Sequence, residues 1–169
     1  MAEARDPRAK VDDHAPASRG HRRRDRLGTI RWVTVAAPAY LARRGTPASP
    51  GELAGHNCMV YLLPTGLPQP WRFLGGRTLR VRGNLVADLG EGLVEAALTG
   101  LGVIQAHDYM VKDAIADGRL VPVLQDHATA GPPVSALCAP GRDRAPAVRA
   151  FVELAAELLG ARGRGQRRR

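Results

Sequence analysis

The chain has 169 residues, 44% of them hydrophobic, and a formal net charge of +9. This length fits one domain of roughly 100–200 residues, and two cysteines are too few for a disulfide-stapled miniprotein. No apolar run approaches the roughly 18 residues that a membrane span needs, and the charged start lacks the apolar stretch of a secretory signal. We therefore expect a cytoplasmic globular protein.

The excess positive charge lies at the two ends of the chain. Residues 1–31 carry nine basic and five acidic residues, residues 161–169 carry five arginines and no acid, and the residues between them balance. Arginine runs such as residues 22–24 and 167–169 can contact nucleic-acid phosphates without reading sequence. No aromatic residue interleaves them to stack bases. Solvated ends are therefore the favoured interpretation, and a basic nucleic-acid-binding protein acting through its tails is the alternative function.

The first half of the chain predicts one disordered segment followed by strands and short helices. Residues 1–25 have no helical or strand period and predict a disordered basic tail, with order from near Leu27. Residues 30–37 predict a strand buried on both faces, and residues 38–44 a helix that begins with Pro38 and ends at Gly45. A capping box at residues 49–52 starts a brief helix, and residues 56–63 predict another strand.

The second half predicts strands that alternate with longer helices. Residues 71–74 and 78–81 form a hairpin, and residues 85–87 a strand. A helix over residues 89–99 has Asp88 as its N-cap and Glu91 three residues later. The next predicted elements are a strand over residues 103–106, a helix over 109–117, an edge strand over 120–124 that contains Pro122, and a strand over 134–139. The last helix, residues 145–159, carries an apolar stripe: Val148, Phe151, Val152, Ala155, Leu158 and Leu159. This alternation indicates an α/β domain with a parallel or mixed sheet.

No motif for catalysis is present. The sequence has no GxGxxG and no Walker loop, and none of Ser18, Ser49 or Ser135 lies on a nucleophile elbow. Cys58 and Cys138 stand 80 positions apart and form no metal-ligand pair. We expect no enzyme activity, no cofactor and no metal; residues 161–169 are expected to be a disordered arginine-rich tail.

Polar residues directly follow two of the predicted strands. His107 follows strand 103–106 and Asp88 follows strand 85–87, and the carboxyl ends of strands are where open α/β sheets bind ligands. His107 is equally consistent with ligand contact and with helix capping, while Asp88 is favoured as an N-cap whose loss costs about 1 kcal/mol. Asp88 and Glu91 would repel an anionic ligand here. Glu91 and Glu95 are interpreted as a solvated helix face.

Five segments in order resemble one protein family. Residues 36–47 (AAPAYLARRGTP) and 50–58 (PGELAGHNC) closely resemble the effector-binding domain of LysR-type transcriptional regulators. Residues 90–103, 117–124 and 147–152 look like that family's later segments, so the resemblance covers residues 26–160. It implies a periplasmic-binding-protein type 2 fold, with two α/β subdomains around an effector cleft.

The resemblance also implies what this chain holds. It predicts subdomain II, the crossover strands and the C-terminal helix, with subdomain I incomplete and the DNA-binding winged helix-turn-helix lacking. We expect a small-molecule sensor domain, no sequence-specific DNA binding by this chain alone, and self-association through the C-terminal helix. The residues expected to face the effector are Ala37, Tyr61, Ala87, Asp88, Leu89 and His107.

Overall fold

The computed structural model describes residues 23–138 and 145–164. Most of both predicted tails, residues 1–22 and 165–169, lies outside these ranges, as does Ala139 at the end of the last predicted strand. Within the described part of the chain, no helix is long and apolar enough to cross a membrane.

Strands and helices alternate along the described residues. They are β1 (Arg23–Ala36), α1 (Pro38–Arg44), β2 (Val60–Tyr61), β3 (Trp71–Arg72), β4 (Thr78–Leu79), β5 (Val86–Ala87), α2 (Gly90–Leu98), β6 (Val103–His107), α3 (Asp108–Ala116), β7 (Val121–Val123), β8 (Thr129–Cys138) and α4 (Pro146–Arg164). Short 3-10 turns occupy Pro50–Gly55, Leu74–Gly76 and Gln125–His127. The predicted α/β class is confirmed.

The sheet is built around β1. This strand pairs antiparallel with β6 along one edge and with β7 and then β8 along the other. Next to β6 the chain runs parallel: the amide of Met59 donates to the carbonyl of Val103 at 2.9 Å, and the amide of Val103 donates to the carbonyl of Asn57 at 2.9 Å. β2 in turn pairs parallel with β5. The sheet is therefore mixed, as predicted.

Two apolar clusters lie on opposite faces of this sheet. Val35 and Ile104 belong to the cluster covered by α2 and α3, while their neighbours Ala36 and Val103 belong to the cluster beneath α1 and the β3–β4 hairpin. Successive side chains of a strand point to opposite faces. The C-terminal end of β1 is therefore buried on both faces, which confirms that prediction for its last residues.

Local chemistry predicted the first helix and the hairpin correctly. α1 spans Pro38–Arg44 and ends at Gly45, whose φ of 80° suits a residue without a Cβ. β3 and β4 pair across the predicted connection. The edge position of β7 is also confirmed, because Pro122 lies in a strand that pairs with β1 alone among the described strands.

Three local predictions were wrong. α2 begins at Gly90, so the N-cap is Leu89, and no side chain caps the helix; Asp88 lies one residue too early. The brief helix predicted after Ser49 is present as a 3-10 turn over Pro50–Gly55 with Ser49 at its N-cap, but the capping bonds are not: Glu52 accepts hydrogen bonds from the Ala48 amide and the Ser49 hydroxyl, both at 3.0 Å. The strand expected over residues 56–63 shortens to Val60–Tyr61, because its neighbours pair through isolated bridges.

Tertiary pairing extends the elements at the two ends of the chain. β1 begins at Arg23, ahead of Leu27, because its first half pairs with β8 from Arg23 opposite Cys138. β8 likewise begins at Thr129 rather than residue 134, and α4 continues to Arg164. The pairing of β1 with β8 is not visible to a local pattern, since the paired residues stand about a hundred positions apart in the sequence.

The C-terminal helix lies on β1. A Cβ at Gly28 of β1 would approach the Cβ of Leu159 to 3.2 Å, so a glycine permits this close approach. The predicted single stripe is split: Val148, Val152, Ala155 and Leu159 are half-buried, whereas Phe151 and Leu158 are 65% and 57% exposed. Leu154, outside the predicted stripe, is 55% exposed beside them. We call Phe151, Leu154 and Leu158 the outer face of α4.

Candidate functional site

A cavity of about 290 Å³ opens beside the second half of β6. β6, the end of β2, the β3–β4 hairpin and the first turns of α2 and α3 surround it. Its lining is mainly aromatic and aliphatic: Trp32, Tyr61, Gln69, Trp71, Gly90, Glu91, Leu93, Ile104, Gln105, Ala106, His107, Tyr109 and Met110. The carboxyl end of a strand in an α/β sheet is the usual place for a ligand.

Gln105 fixes one wall of this cavity. Its Oε1 accepts a hydrogen bond from the Arg72 amide at 2.7 Å, and its Nε2 donates to the Arg72 carbonyl at 2.9 Å. The side-chain amide thus takes the place of a neighbouring strand for one residue of β3. This pair of bonds holds the hairpin, and with it Trp71, against β6.

His107 places a polar atom in the apolar part of the cavity. Its ring lies 4.0 Å from the Trp32 ring at 40° and stacks at 5.8 Å with Tyr109, centroid to centroid. Its Nε2 is buried and has no hydrogen-bond partner among the described residues. Burial lowers the pKa of His107, and the neighbouring Asp108 carboxylate opposes this only in part. The imidazole is therefore neutral at pH 7 and able to hydrogen-bond a ligand.

Asp108, not His107, caps the start of α3. His107 holds the N-cap position with its backbone, but its side chain makes no capping bond. The Asp108 Oδ1 accepts from the Tyr109 amide at 3.0 Å and from the Arg31 amide at 3.2 Å. The second bond gives the Arg31 amide a partner just where the pairing of β1 with β6 ends, one residue before Trp32, which pairs with His107. Because Asp108 makes these bonds to the backbone, the His107 side chain remains available to the cavity.

The structure brings two of the six predicted effector residues to this cavity. Tyr61 and His107 line it. Ala37 is buried in the core cluster beneath α2 and α3, and Ala87 is half-buried on β5. Asp88 and Leu89 are exposed and precede the helix turn whose Gly90 and Glu91 do line the cavity. Effector contact by any of these residues stays a prediction.

Sequence reasoning missed most of the aromatic wall. The chain is poor in aromatic residues, at 4%, and has just two tryptophans, Trp32 and Trp71. Both line the cavity, together with Tyr109. The scarcity of tryptophan was the one signal available in the sequence, although nothing local shows that residues 32, 71 and 109 meet.

The described residues show no group of three or more His, Cys, Asp or Glu side chains that could hold a metal ion. Cys58 is buried, which raises its pKa to about 12 and keeps the thiol protonated.

A mixed sheet with helices on both faces and a cavity at its strand ends defines an α/β domain, and the family match that follows gives it the periplasmic-binding-protein type 2 fold. A family model described as LysR substrate binding domain matches residues 14–160, and the chain belongs to that family. Its structure resembles that of CrgA, a LysR-type transcriptional regulator from Neisseria meningitidis, with a TM-score of 0.73, 29% identity and coverage of 86% of this chain and 50% of that one. For the CrgA regulatory domain the TM-score is 0.71, with 31% identity and coverage of 82% and 70%.

Curated relatives agree with this family assignment. CrgA from Neisseria meningitidis serogroup B is 37% identical over 98 residues, which are 57% of this chain and 32% of that protein. The Escherichia coli regulator YcaN is 34% identical over 103 residues, or 61% of this chain and 34% of that protein. The chain thus spans about a third of the length of the curated relatives it matches. It is a LysR substrate-binding domain that resembles the regulatory domains of transcriptional regulators.

Proposed function

We propose that this domain binds a small-molecule effector in the cavity beside β6 and serves as the sensor of a LysR-type regulator. One observation carries the proposal: the buried Nε2 of His107 has no partner among the described residues and lies in a cavity walled by aromatic rings. An unpaired buried polar atom is costly, and a bound ligand would satisfy it.

The size and stiffness of the cavity support this function. A volume of about 290 Å³ stands at the small end of ligand sites, which run from roughly 300 Å³ upward. Gln105 holds the hairpin wall through two hydrogen bonds, so the site is largely formed before a ligand arrives. Preorganisation of this kind lowers the entropy that binding must overcome. We therefore expect a compact effector, not an extended chain.

A fragment screen by nuclear magnetic resonance tests the proposal. Both tryptophans of the chain line the cavity, so the two indole N–H signals report on it directly. We expect at least one compact fragment to shift both indole signals saturably. Tyr109→Ala, which removes a 57% exposed ring of the cavity, should weaken that binding, whereas Phe151→Ala, which removes a 65% exposed ring on α4, should not. Saturable shifts confined to other surfaces would overturn the proposal, as would the absence of binding at millimolar concentration.

We further propose that two copies of the chain associate through the outer face of α4. Its three large apolar side chains are each more than half exposed, at positions three and four residues apart. Such a stripe matches the spacing at which one helix packs against another. The comparisons give no support to the alternative function, nucleic-acid binding through the basic ends.

A further inference from the structure

The walls of the cavity offer ring faces to a ligand. Four aromatic side chains line it, and the His107 imidazole adds a fifth ring that lies 4.0 Å from Trp32. Aromatic faces pack well against a flat ring, and their negative quadrupole attracts a cation held over them. Shape and ring chemistry therefore favour a flat aromatic ligand.

The charges at the cavity are of one sign. Glu91 is the one lining residue with a formal charge at pH 7, because burial keeps His107 neutral and the lining includes no lysine or arginine. The starts of α2 and α3 carry partial positive charge, but each has its own first-turn carboxylate, Glu91 and Asp108. Asp108 in addition accepts hydrogen bonds from the Tyr109 and Arg31 amides. Each of these helix starts thus has a carboxylate of its own chain nearby, and the described residues that line the cavity supply no positive side chain for an anion.

The polar atom of the cavity points to the same class of ligand. In the tautomer that carries its proton on Nδ1, the neutral His107 ring accepts a hydrogen bond at Nε2, the buried atom that has no partner among the described residues. An amide or amidine N–H supplies that donor, whereas a carboxylate carries acceptor oxygens alone. The Gln105 amide already uses both of its ends on Arg72 and does not compete for the donor.

We propose that this cavity selects flat aromatic ligands that are neutral or cationic and carry an N–H donor, and that Glu91 excludes anions of the same shape. This inference rests on the proposed function and names the ligand class of the same site. Glu91 is a specificity-determining residue on this view, and the aromatic rings supply affinity without regard to charge.

Three probes of one shape test the proposal. Benzamide, benzamidine and benzoate share a ring and a planar substituent, and they are respectively neutral, cationic and anionic. Titrations followed by the two tryptophan indole signals give a dissociation constant for each. We expect benzamide and benzamidine to bind about tenfold more tightly than benzoate, which corresponds to roughly one close charge contact at the protein surface.

A matched pair of variants assigns the discrimination to one carboxylate. Glu91→Gln should weaken benzamidine binding by about three- to tenfold and strengthen benzoate binding, with benzamide little changed. Glu95→Gln removes the same charge one turn along α2, from an exposed residue that does not line the cavity, and should leave the ranking intact. Unchanged backbone amide spectra away from the site establish that both variants fold.

Each other outcome overturns the inference. Benzoate binding at the indoles as tightly as benzamidine would refute the charge selection while leaving effector binding at the cavity intact. Equal effects of the two glutamine variants would show that Glu91 acts merely as part of the overall charge. If none of the three probes shifts the indole signals at millimolar concentration, the ligand class is wrong, and the wider fragment screen decides separately whether the cavity binds ligands at all.

Discussion

Two side chains beside the cavity make hydrogen bonds to backbone groups that a neighbouring strand would otherwise make. Gln105 holds one backbone residue of β3 as a neighbouring strand would, with bonds of 2.7 and 2.9 Å. Asp108 does the same for the Arg31 amide at the point where β6 ends. His107, between the two, has a buried Nε2 with no partner in the described chain. Gln105 and Asp108 thus use their side chains on hydrogen bonds within the chain. The His107 Nε2, which has no such bond, lies in the cavity proposed to bind a ligand.

Replacing Gln105 by methionine should destabilise the domain. The new side chain has a similar size but makes no hydrogen bond, so the part-buried Arg72 amide and carbonyl lose their partners. We expect the free energy of unfolding to fall by about 1–3 kcal/mol, measured by urea denaturation. Gln125→Met, at an exposed position in a 3-10 turn, is the control and should change stability little. Equal stability of both variants would contradict the role assigned to Gln105.

The pH dependence of stability should carry the signature of His107. Burial lowers the pKa of this side chain in the folded state below the ordinary value for histidine, so the unfolded chain binds the proton more readily. Stability from the neutral imidazole is therefore complete above about pH 6.5 and decreases as the pH falls toward the folded pKa. Urea denaturation at pH 7.5 and 5.5 measures the loss. His107→Phe keeps a ring against Trp32 and should lose less stability over this interval than the parent chain; an equal loss would refute the assignment.

At the scale of elements, helix ends and helix faces are set by neighbours. Asp88 has the right chemistry for an N-cap, yet α2 begins at Gly90 and leaves Leu89 in that position. A Cβ at Gly90 would come 2.8 Å from the Met110 methyl group of α3. The flexible end of the Met110 side chain therefore lies against the start of α2, and no side chain caps this helix end.

Asp88→Ala should consequently have little effect on stability. Loss of a true N-cap costs about 1 kcal/mol, whereas exposed substitutions away from special features stay within about 0.5 kcal/mol. We expect the smaller value for this exposed carboxylate, from thermal or urea unfolding of the two proteins. A loss of 1 kcal/mol or more would restore the capping role.

The exposed apolar side chains on the outer face of α4 predict that two copies of the chain associate. Phe151→Asp puts a charge in the middle of this apolar surface and should reduce the self-association seen by sedimentation at increasing protein concentration. Leu67→Asp is a matched control, because Leu67 is 64% exposed and Phe151 65% exposed, and both changes add one negative charge. A parent chain that stays monomeric at high concentration, or an equal effect of the two variants, would show that α4 is not the interface.

For the whole molecule, the excess charge and the apolar core lie in different parts of the chain. The net positive charge belongs to residues 1–31 and 161–169, while the cavity and both apolar clusters are built from residues 32–124. In the described residues, α2 and α3 bury their apolar faces against the sheet. The excess positive charge therefore lies outside the residues that build the cavity and the two clusters, although part of it belongs to β1 and α4.

Any DNA binding by this chain should be weak, indifferent to sequence and sensitive to salt. Contacts between arginines and phosphates release counterions, so affinity falls steeply as salt rises, and base recognition needs an element that enters a groove. Fluorescence anisotropy with a LysR-type operator and a random duplex of equal length, at several salt concentrations, measures both properties. Clear preference for the operator at physiological salt would refute this expectation.

The sequence alone determined the features that depend on neighbouring residues. Pro38 and Gly45 bound α1, the connection from β3 to β4 contains Gly75 and Gly76, and five short segments identify the LysR family. These signals act over a few residues, through φ angles, missing amide donors and local patterning, and they need no knowledge of the distant chain.

Tertiary structure decided whatever joins residues far apart in sequence. The extension of β1 to Arg23 depends on its pairing with β8, and the exposed face of α4 depends on how this helix lies against β1. The cavity belongs to this group, since Trp32, Trp71 and His107 meet only after the sheet forms. Long-range packing selects among local options that differ by about 1 kcal/mol or less, and for that reason the site lay beyond local patterns.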